Sequence, residues 1–413
     1  MTVQRLDASG GPAATAAALR ALVPAGVSVS GTVSEIVASV RARGEPALLE
    51  YVERFDGVDA PLRVQPDELD AALTALDPAV RRGLEVAIAN VRAVAEAGVG
   101  EDREVALPQG QHVTVREVPV RRAAIYTPGG RNPYPSTVVM GVVTARAAGV
   151  DEIAVCAPGR HPVMLAACAL CGADEVWRMG GAHAIAALAY GTDTVPRVDV
   201  IAGPGSLYVQ EAKRQVSADV GIDGFAGPSD VLVLATGDAD PELVTLDLLA
   251  QAEHGTGTIV ALVTDDAALL AAVGARLDAE AADLDAAAAL VSVADIAEGL
   301  AVAEAFAPEH LQLMGAGAEA LADRVRSAGC VFVGRDSATA FGDYVAGSNH
   351  TLPTGGAARF ASGLSARHFR RRMSVVRIGA AAPALARAGV PVAEAEGFPR
   401  HAASMRVREN LTG

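Results

Sequence analysis

The sequence predicts an α/β protein of two parallel-sheet modules, with a helical N-terminal segment and a small C-terminal tail. Three observations carry that prediction. Short apolar runs alternate with helical stretches of about ten residues over most of the chain, the pattern of repeated strand–helix units. Glycine-rich turns follow several of those runs. Hydrophobic residues make up 51% of the chain but aromatic ones only 4%, so the core must be built mainly from Ala, Val and Leu. With 413 residues there is room for two or three domains.

Residues 1–100 read as helical. Thr32 to Val40 and Pro46 to Phe55 place apolar residues three and four apart, and Asp67 to Ala97 is a long helical stretch broken near Asp77-Pro78. A short β segment is expected around His112 to Val120. The first module then runs as strand Ala123 to Tyr126, helix Ser136 to Ala148, strand Glu152 to Cys156, helix Pro162 to Cys171 and strand Glu175 to Arg178. It continues with helix Ala182 to Tyr190, strand Val198 to Ala202 and helix Leu207 to Val216. The second module opens with strand Val231 to Ala235, helix Pro241 to His254, strand Ile259 to Thr264 and helix Ala267 to Ala279. Strand Leu311 to Met314, helix Ala318 to Ala328 and strand Val331 to Val333 complete it. The alanine-rich stretch Ala279 to Ala289 reads as helix, because alanine is the strongest helix former. The last 40 or so residues form a mixed tail.

Three glycine turns fall where strands of the first module end: Tyr126-Thr-Pro-Gly-Gly130, Gly180-Gly-Ala-His183 and Gly203-Pro-Gly-Ser206. Glycine there lets the backbone approach a ligand, and the helix N-terminus that follows favours an anion such as a pyrophosphate. The modules are therefore Rossmann-like, but incompletely so. Gly203-x-Gly205 is followed by Ser206-Leu207-Tyr208, and no full G-x-G-x-x-G is present. Lys213, the only lysine among 34 basic residues, lies inside a helix and cannot serve as a Walker lysine. Tight helix-on-strand packing also asks for glycine, so a dinucleotide site and a packing role both remain open.

A net charge of −15 opposes binding to phosphate backbones, and Arg370-Arg371-Arg372 is too short to overturn that. Of the four cysteines, Cys168-x2-Cys171 has redox spacing but sits in an apolar helical run without a second pair, and reads as core. Sparse cysteine suits a reducing compartment. Met1 to Gly10 contains no apolar signal region, and no run reaches the roughly 18 apolar residues of a membrane span. A cytoplasmic protein is expected.

Four polar clusters punctuate the second half. Gln251 and His254, three apart near a helix end, share one face. They suit a zinc site, though a histidine there also serves as a capping cation. Glu309-His310 offers two proton-transfer groups, or a surface turn. Asp343, in Gly342-Asp-Tyr-Val-Ala-Gly347 with His350 following, suits a loop lining a site and an ordinary turn equally. Glu396 and His401 lie near the C-terminus, where segments are usually frayed. Gln251, His254, Asp343 and His401 would together make one nitrogen-and-oxygen metal set. Gly227-Pro-Ser229-Asp230 lacks the G-x-S-x-G elbow, which favours a ligand hydrogen bond from Ser229 over a nucleophile. His112, His161 and His368 read as structural or surface residues.

These residues, in this order, resemble histidinol dehydrogenases. The likeness covers nearly the whole chain and rests on several stretches. The earlier ones are Ile125-Tyr-Thr-Pro-Gly-Gly130, Ala186-Ala-Leu-Ala-Tyr-Gly191 and Ala226-Gly-Pro-Ser229. Further on come Gln251-Ala-Glu-His254, Ala307-Pro-Glu-His-Leu311, Gly342-Asp-Tyr344 and Asn349-His-x-Leu-Pro-Thr354. The resemblance implies a zinc enzyme that oxidises L-histidinol to L-histidine in two NAD-linked steps. It implies zinc ligands Gln251, His254, Asp343 and His401, and a catalytic pair Glu309 and His310. Ser229, His350 and Glu396 would hold the substrate, together with Gln251, His254, His310, Asp343 and His401. Tyr126, His183 and Ser206 stand at the cofactor positions. His183 replaces the usual Gln and Ser206 the usual Asn; Asp230 replaces Glu, and Gly255 stands where Asp is frequent.

The resemblance further implies an intertwined homodimer, whose tail carries Glu396 and His401 into the partner's site. The expected division is residues 1–120 plus 235–370 as the α/β domain with the metal and catalytic residues, 121–234 as a nucleotide-binding-like domain, and 371–413 as the tail. The altered cofactor turns admit two other readings. One is a relative acting on another alcohol, such as a sulfonated diol; the other is a binding or regulatory protein without catalysis.

Overall fold

The computed structural model describes residues 2–23, 28–58, 61–129, 132–159, 161–225, 227–281 and 283–409. Gly130 of the first glycine turn, Ala226 before Gly227-Pro-Ser229, Ala282 of the alanine-rich stretch and residues 410–413 of the tail lie outside them. The strands, in chain order, are β1 (Thr2–Asp7), β2 (Arg103–Ala106), β3 (His112–Pro119), β4 (Arg122–Tyr126), β5 (Glu152–Cys156), β6 (Glu175–Trp177) and β7 (Val200–Ala202). They continue with β8 (Gly221–Ile222), β9 (Asp230–Ala235), β10 (Ile259–Thr264), β11 (Ala287–Ser292), β12 (His310–Met314), β13 (Cys330–Val333) and β14 (Arg370–Arg377). The chain forms two compact units, residues 1–98 with 121–369, and residues 99–120 with 370–413.

The first unit holds two parallel sheets. One has six strands in the order β1-β11-β10-β9-β12-β13, the other five in the order β6-β5-β4-β7-β8. Strand β9 shows why the six-stranded sheet is buried on both faces. Val231, Val233 and Ala235 pack with Val244, Leu248 and Leu269 on one side, while Leu232 and Leu234 pack with Leu19, Val302 and Phe306 on the other. Alternate residues of a strand point to opposite faces, so an unbroken apolar run demands helices on both. Around the five-stranded sheet, Ala124, Tyr126 and Ile201 bury against Val33, Leu48, Ile185 and Val209 of the flanking helices. The core is thus one of small aliphatic side chains, as the composition requires.

Helices Ser30–Arg43, Glu45–Asp56, Pro66–Thr74 and Pro78–Ala97 occupy the N-terminal third. The break before Pro78 is a cap: the Asp77 carboxylate accepts from the N–H groups of Ala79 and Val80. The helix after β4 is Pro135–Val138, a π-helical turn Val139–Val143, and Thr144–Ala147. The wide turn lies where Gly141 packs against Ile125, a spot at which a Cβ would come within 2.3 Å of the isoleucine methyl. Cys168 and Cys171 are buried core residues, as read from their apolar surroundings.

Several elements differ from the sequence reading. The first residues form β1 rather than helix. The end of the alanine-rich stretch, from Ala287, opens β11, because pairing with β10 and β1 on its two sides outweighs alanine's helix preference. The expected helix Ala318 to Ala328 is reduced to Ala316–Glu319 and a short 3-10 turn Ala322–Arg324.

The second unit contains the antiparallel sheet β14-β3-β2 and the helices Ala382–Ala395 and Pro399–Arg406. Among the described residues no helix is long and apolar enough to cross a membrane.

Candidate functional site

The polar residues of the first unit converge at the amino-terminal edge of the six-stranded sheet. Ser229 directly precedes β9, Glu309 directly precedes β12, and His310 sits beside Val231 in register. The helix after β9 (Pro241–Ala252) runs back across the sheet, so its C-terminal end returns Gln251 and His254 to the same edge. Asp343 comes from the short helix Thr339–Tyr344 that follows β13.

Hydrogen bonds tie the cluster together. Gln251 Nε2 donates to Ser229 Oγ, and Ser229 Oγ donates to Glu309 Oε2. Asp230 and Glu309 hold one another reciprocally. The Asp230 N–H donates to Glu309 Oε2 at 3.1 Å, and the Glu309 N–H donates to Asp230 Oδ1 at 2.7 Å. His310 Nδ1 lies 3.2 Å from the main-chain oxygen of Asp230, while its Nε2 faces Asp343 Oδ1 at 3.8 Å. His350 joins through Nδ1, 2.9 Å from the Asp343 carbonyl oxygen, and through Nε2, 3.3 Å from Thr137 Oγ1. That last contact connects the cluster to the helix following the first glycine turn.

Burial and charge oppose each other here. Burial pushes the Glu309 carboxyl up to about 7, despite the adjacent His310 cation and the hydrogen bonds from Ser229 and Asp230. Burial alone would lower His310, but the hydrogen bond to Asp343 and the charges of Glu309 and Asp343 raise it to about 9. Burial would likewise raise Asp343, yet the hydrogen bond and charge of His310, with the charges of His350 and His254, hold it below its ordinary value. The Glu309 carboxyl and the His310 imidazole therefore both exchange protons near or above neutrality, beside an Asp343 that stays ionised.

Its donor chemistry also fits a divalent cation. The Gln251 amide nitrogen is committed to Ser229, which directs its carbonyl oxygen elsewhere. His254 Nδ1 lies 3.1 Å from the Gln251 main-chain oxygen, the anchoring that leaves Nε2 as a lone-pair donor. With the Asp343 carboxylate these make two oxygens and one imidazole nitrogen. Among the described residues no group of three or more His, Cys, Asp or Glu side chains is placed to hold a metal by itself.

The sequence also singled out residues outside this cluster. Glu396 caps the helix Ala382–Ala395 and His401 lies on Pro399–Arg406, both in the second unit, with the His401 ring edge-on to Phe398 at 5.2 Å. Tyr126, His183 and Ser206 all border the carboxyl edge of the five-stranded sheet. The Tyr126 hydroxyl accepts from the Gly181 N–H at 3.0 Å. His183 is buried, with Nε2 3.0 Å from Asp56 Oδ2 and its ring packed against the stacked pair Tyr51 and Phe55. Ser206 is exposed at the N-terminus of helix Leu207–Val216.

Sequence reasoning missed Arg20, whose guanidinium reaches Asp230 at 2.6 Å, and Thr137 and Asn349, which position the His350 loop. The one available signal for Arg20 was that it is the only charge in the alanine-rich helix Pro12–Ala21.

The chain matches known proteins over its full extent. A family model described as histidinol dehydrogenase matches residues 24–409. A histidinol dehydrogenase of Nocardia farcinica is 45% identical, covering 98% of this chain and 97% of that protein. One from Thermobifida fusca is 44% identical, covering 98% and 97%. The crystal structure of a histidinol dehydrogenase from Elizabethkingia anophelis superposes with a TM-score of 0.91 at 30% identity, covering 99% of this chain and 98% of that one.

Proposed function

Given that the chain belongs to the histidinol dehydrogenase family, we propose that it oxidises L-histidinol to L-histidine through L-histidinal, using zinc and two molecules of NAD. The observation that carries this reading is the continuous hydrogen-bonded run Gln251–Ser229–Glu309–Asp230, which sets His310 beside Asp343.

Zinc would be held by Gln251, His254 and Asp343, with His401 contributed by a second copy of the chain in a homodimer. When bound, zinc would supply a Lewis-acidic anchor for the substrate and NAD would supply the hydride acceptor of each oxidation. The remaining chemistry falls to the protein. His310, anchored through Nδ1 on the Asp230 carbonyl, takes the hydroxyl proton of the alcohol at Nε2 in its neutral form, which mildly alkaline pH favours because the ring is raised to about 9. Glu309, a carboxyl raised towards neutrality by burial, takes a proton from the water that hydrates the aldehyde. The balance is one alcohol, one water and two NAD cations giving one carboxylate, two NADH and three protons. Ser229 and His350 orient the substrate, with Glu396 from the second copy. Tyr126, His183 and Ser206 border the NAD site at the glycine turns. Burial of Glu309 and His310 keeps bulk water from the reactive aldehyde.

The test is a substrate panel on zinc-loaded enzyme at mildly alkaline pH. Two NADH per L-histidinol, with none from a sulfonated diol, is the expected result. Absence of NADH from L-histidinol overturns the proposal.

A further inference from the structure

We propose that Arg20 and Asp230 form a brace that positions Glu309 and His310 for proton transfer. This rests on the reading of those two residues as the proton-handling pair. Asp230 is fully buried, and its only ion-pair partner among the described residues is Arg20, which enters from helix Pro12–Ala21 with 26% of its side chain exposed. A carboxylate without solvent needs a counter-charge and hydrogen bonds to persist. Asp230 obtains both, and every hydrogen bond it makes apart from Arg20 and the sheet goes to the pair. Oδ1 accepts from the Glu309 N–H, its own N–H donates to the Glu309 carboxylate, and its carbonyl faces His310 Nδ1.

Arg20 acts at a second point. While Nη1 meets Asp230, Nη2 donates to the carbonyl of Phe306 at 2.6 Å and approaches that of Ala307 at 3.4 Å. These are the last carbonyls of helix Ile296–Phe306, the electronegative end of its dipole. The guanidinium carbon also lies over the Phe306 ring, 3.6 Å from its centroid. Ala307 is the one non-glycine residue with positive φ among those described, at 50°. That left-handed corner turns the chain from the helix into Pro308-Glu309-His310. One planar fork therefore holds both the corner that delivers the pair and the carboxylate that orients it. A lysine ammonium can meet the carboxylate but cannot reproduce the fork. Neither brace residue touches the reacting atoms, so both are positioning residues.

The experiment uses full-length Arg20→Ala and Arg20→Lys, with Arg43→Ala as a control that removes an exposed ion pair to Glu50. A displacement of about 1 Å in a reacting group costs about a hundredfold in rate. Arg20→Ala is expected to lower kcat on L-histidinol about a hundredfold with KM little changed. Arg20→Lys recovers only part of the loss, and Arg43→Ala matches wild type. Crystal structures of the Arg20 variants should show the Glu309 carboxylate or the His310 ring displaced. If Arg20→Ala does not fold, Arg20→Lys carries both readouts. Unmoved side chains, or an unchanged kcat in a folded variant, overturn the proposal. Inactivity of the wild type on L-histidinol overturns the substrate reading instead, and the crystal comparison then decides the brace alone.

Discussion

Removing the amine of Lys213 should cost this protein more than almost any other single charge. Its side chain is 1% exposed, and that of its partner Asp223 is 7% exposed. Lys213 Nζ donates to Asp223 and, at 3.1 Å, to the carbonyl of Gly203; Asp223 Oδ2 accepts from the Gly203 N–H at 2.7 Å. The ion pair thus clamps both main-chain polar groups of the glycine that opens the third turn. In Lys213→Met the side-chain volume is kept, but a buried carboxylate is left without a counter-charge, which costs about 3–5 kcal/mol. In Lys213→Met with Asp223→Asn no charge remains and the asparagine oxygen still accepts from Gly203. Only the hydrogen bond to the Gly203 carbonyl is lost, at about 1 kcal/mol. With a urea slope of about 3 kcal/mol per M, the single variant should unfold at least about 1 M earlier than wild type, and the double variant about 0.3 M earlier. The assay has a built-in probe. Trp177, the only tryptophan, is buried in β6 of the same five-stranded sheet, so its fluorescence reports this sheet's unfolding. A single variant within about 1 kcal/mol of wild type, or a double variant no better than the single, refutes the reasoning.

Three further outcomes are expected. His254→Ala and Asp343→Ala should each lower the zinc content measured by metal analysis, whereas His310→Ala should keep zinc and stop oxidation; equal zinc in all three contradicts the ligand set. Gly203→Ala should cost more than about 4 kcal/mol or prevent folding, because a Cβ there would lie 2.0 Å from the Tyr126 carbonyl oxygen at φ 120°, and backbone cannot yield; near-wild-type circular dichroism melting would disprove this. Burial pushes the Cys171 thiol from 9.0 up to about 12, so the folded chain holds its proton where the unfolded chain releases it. Its stabilising contribution is complete below pH 9 and declines as pH rises towards 12, and thiol reagents at pH 8 should label Cys171 only on unfolding, as peptide mapping would reveal.

The central strands were legible because each is a continuous apolar run with both faces covered, as in β9 and β10. The edges were not. Strand β1 carries Gln4, Arg5 and Asp7 and finds its partner only at β11, about two-thirds of the chain away. Strand β14 opens with three arginines and pairs with β3, so its pattern is that of a solvated edge. The convergence of Ser229, Gln251, Glu309, His310 and Asp343 could not be read from spacing, because their order in the chain says nothing of which edge of a sheet they reach. Their types did announce chemistry, and each occupies the end of an element rather than its middle. Arg20 gave only the weak signal of a lone charge in an alanine-rich helix, since an arginine in the last turn of a helix ordinarily serves as a cap.

The widened π turn at Val139–Val143 has a consequence for how the sequence can drift. A helix interior normally offers no main-chain oxygen to outsiders, but here the Met140 carbonyl accepts from Asn349 Nδ2 at 3.0 Å, and Thr144 Oγ1 accepts from the same nitrogen at 3.1 Å. Every amino acid at position 140 brings an identical oxygen. The bond to position 140 therefore outlasts any exchange there that the surrounding core can accommodate, whereas the tether beside His350 is lost with the Asn349 carboxamide and weakened with the Thr144 hydroxyl.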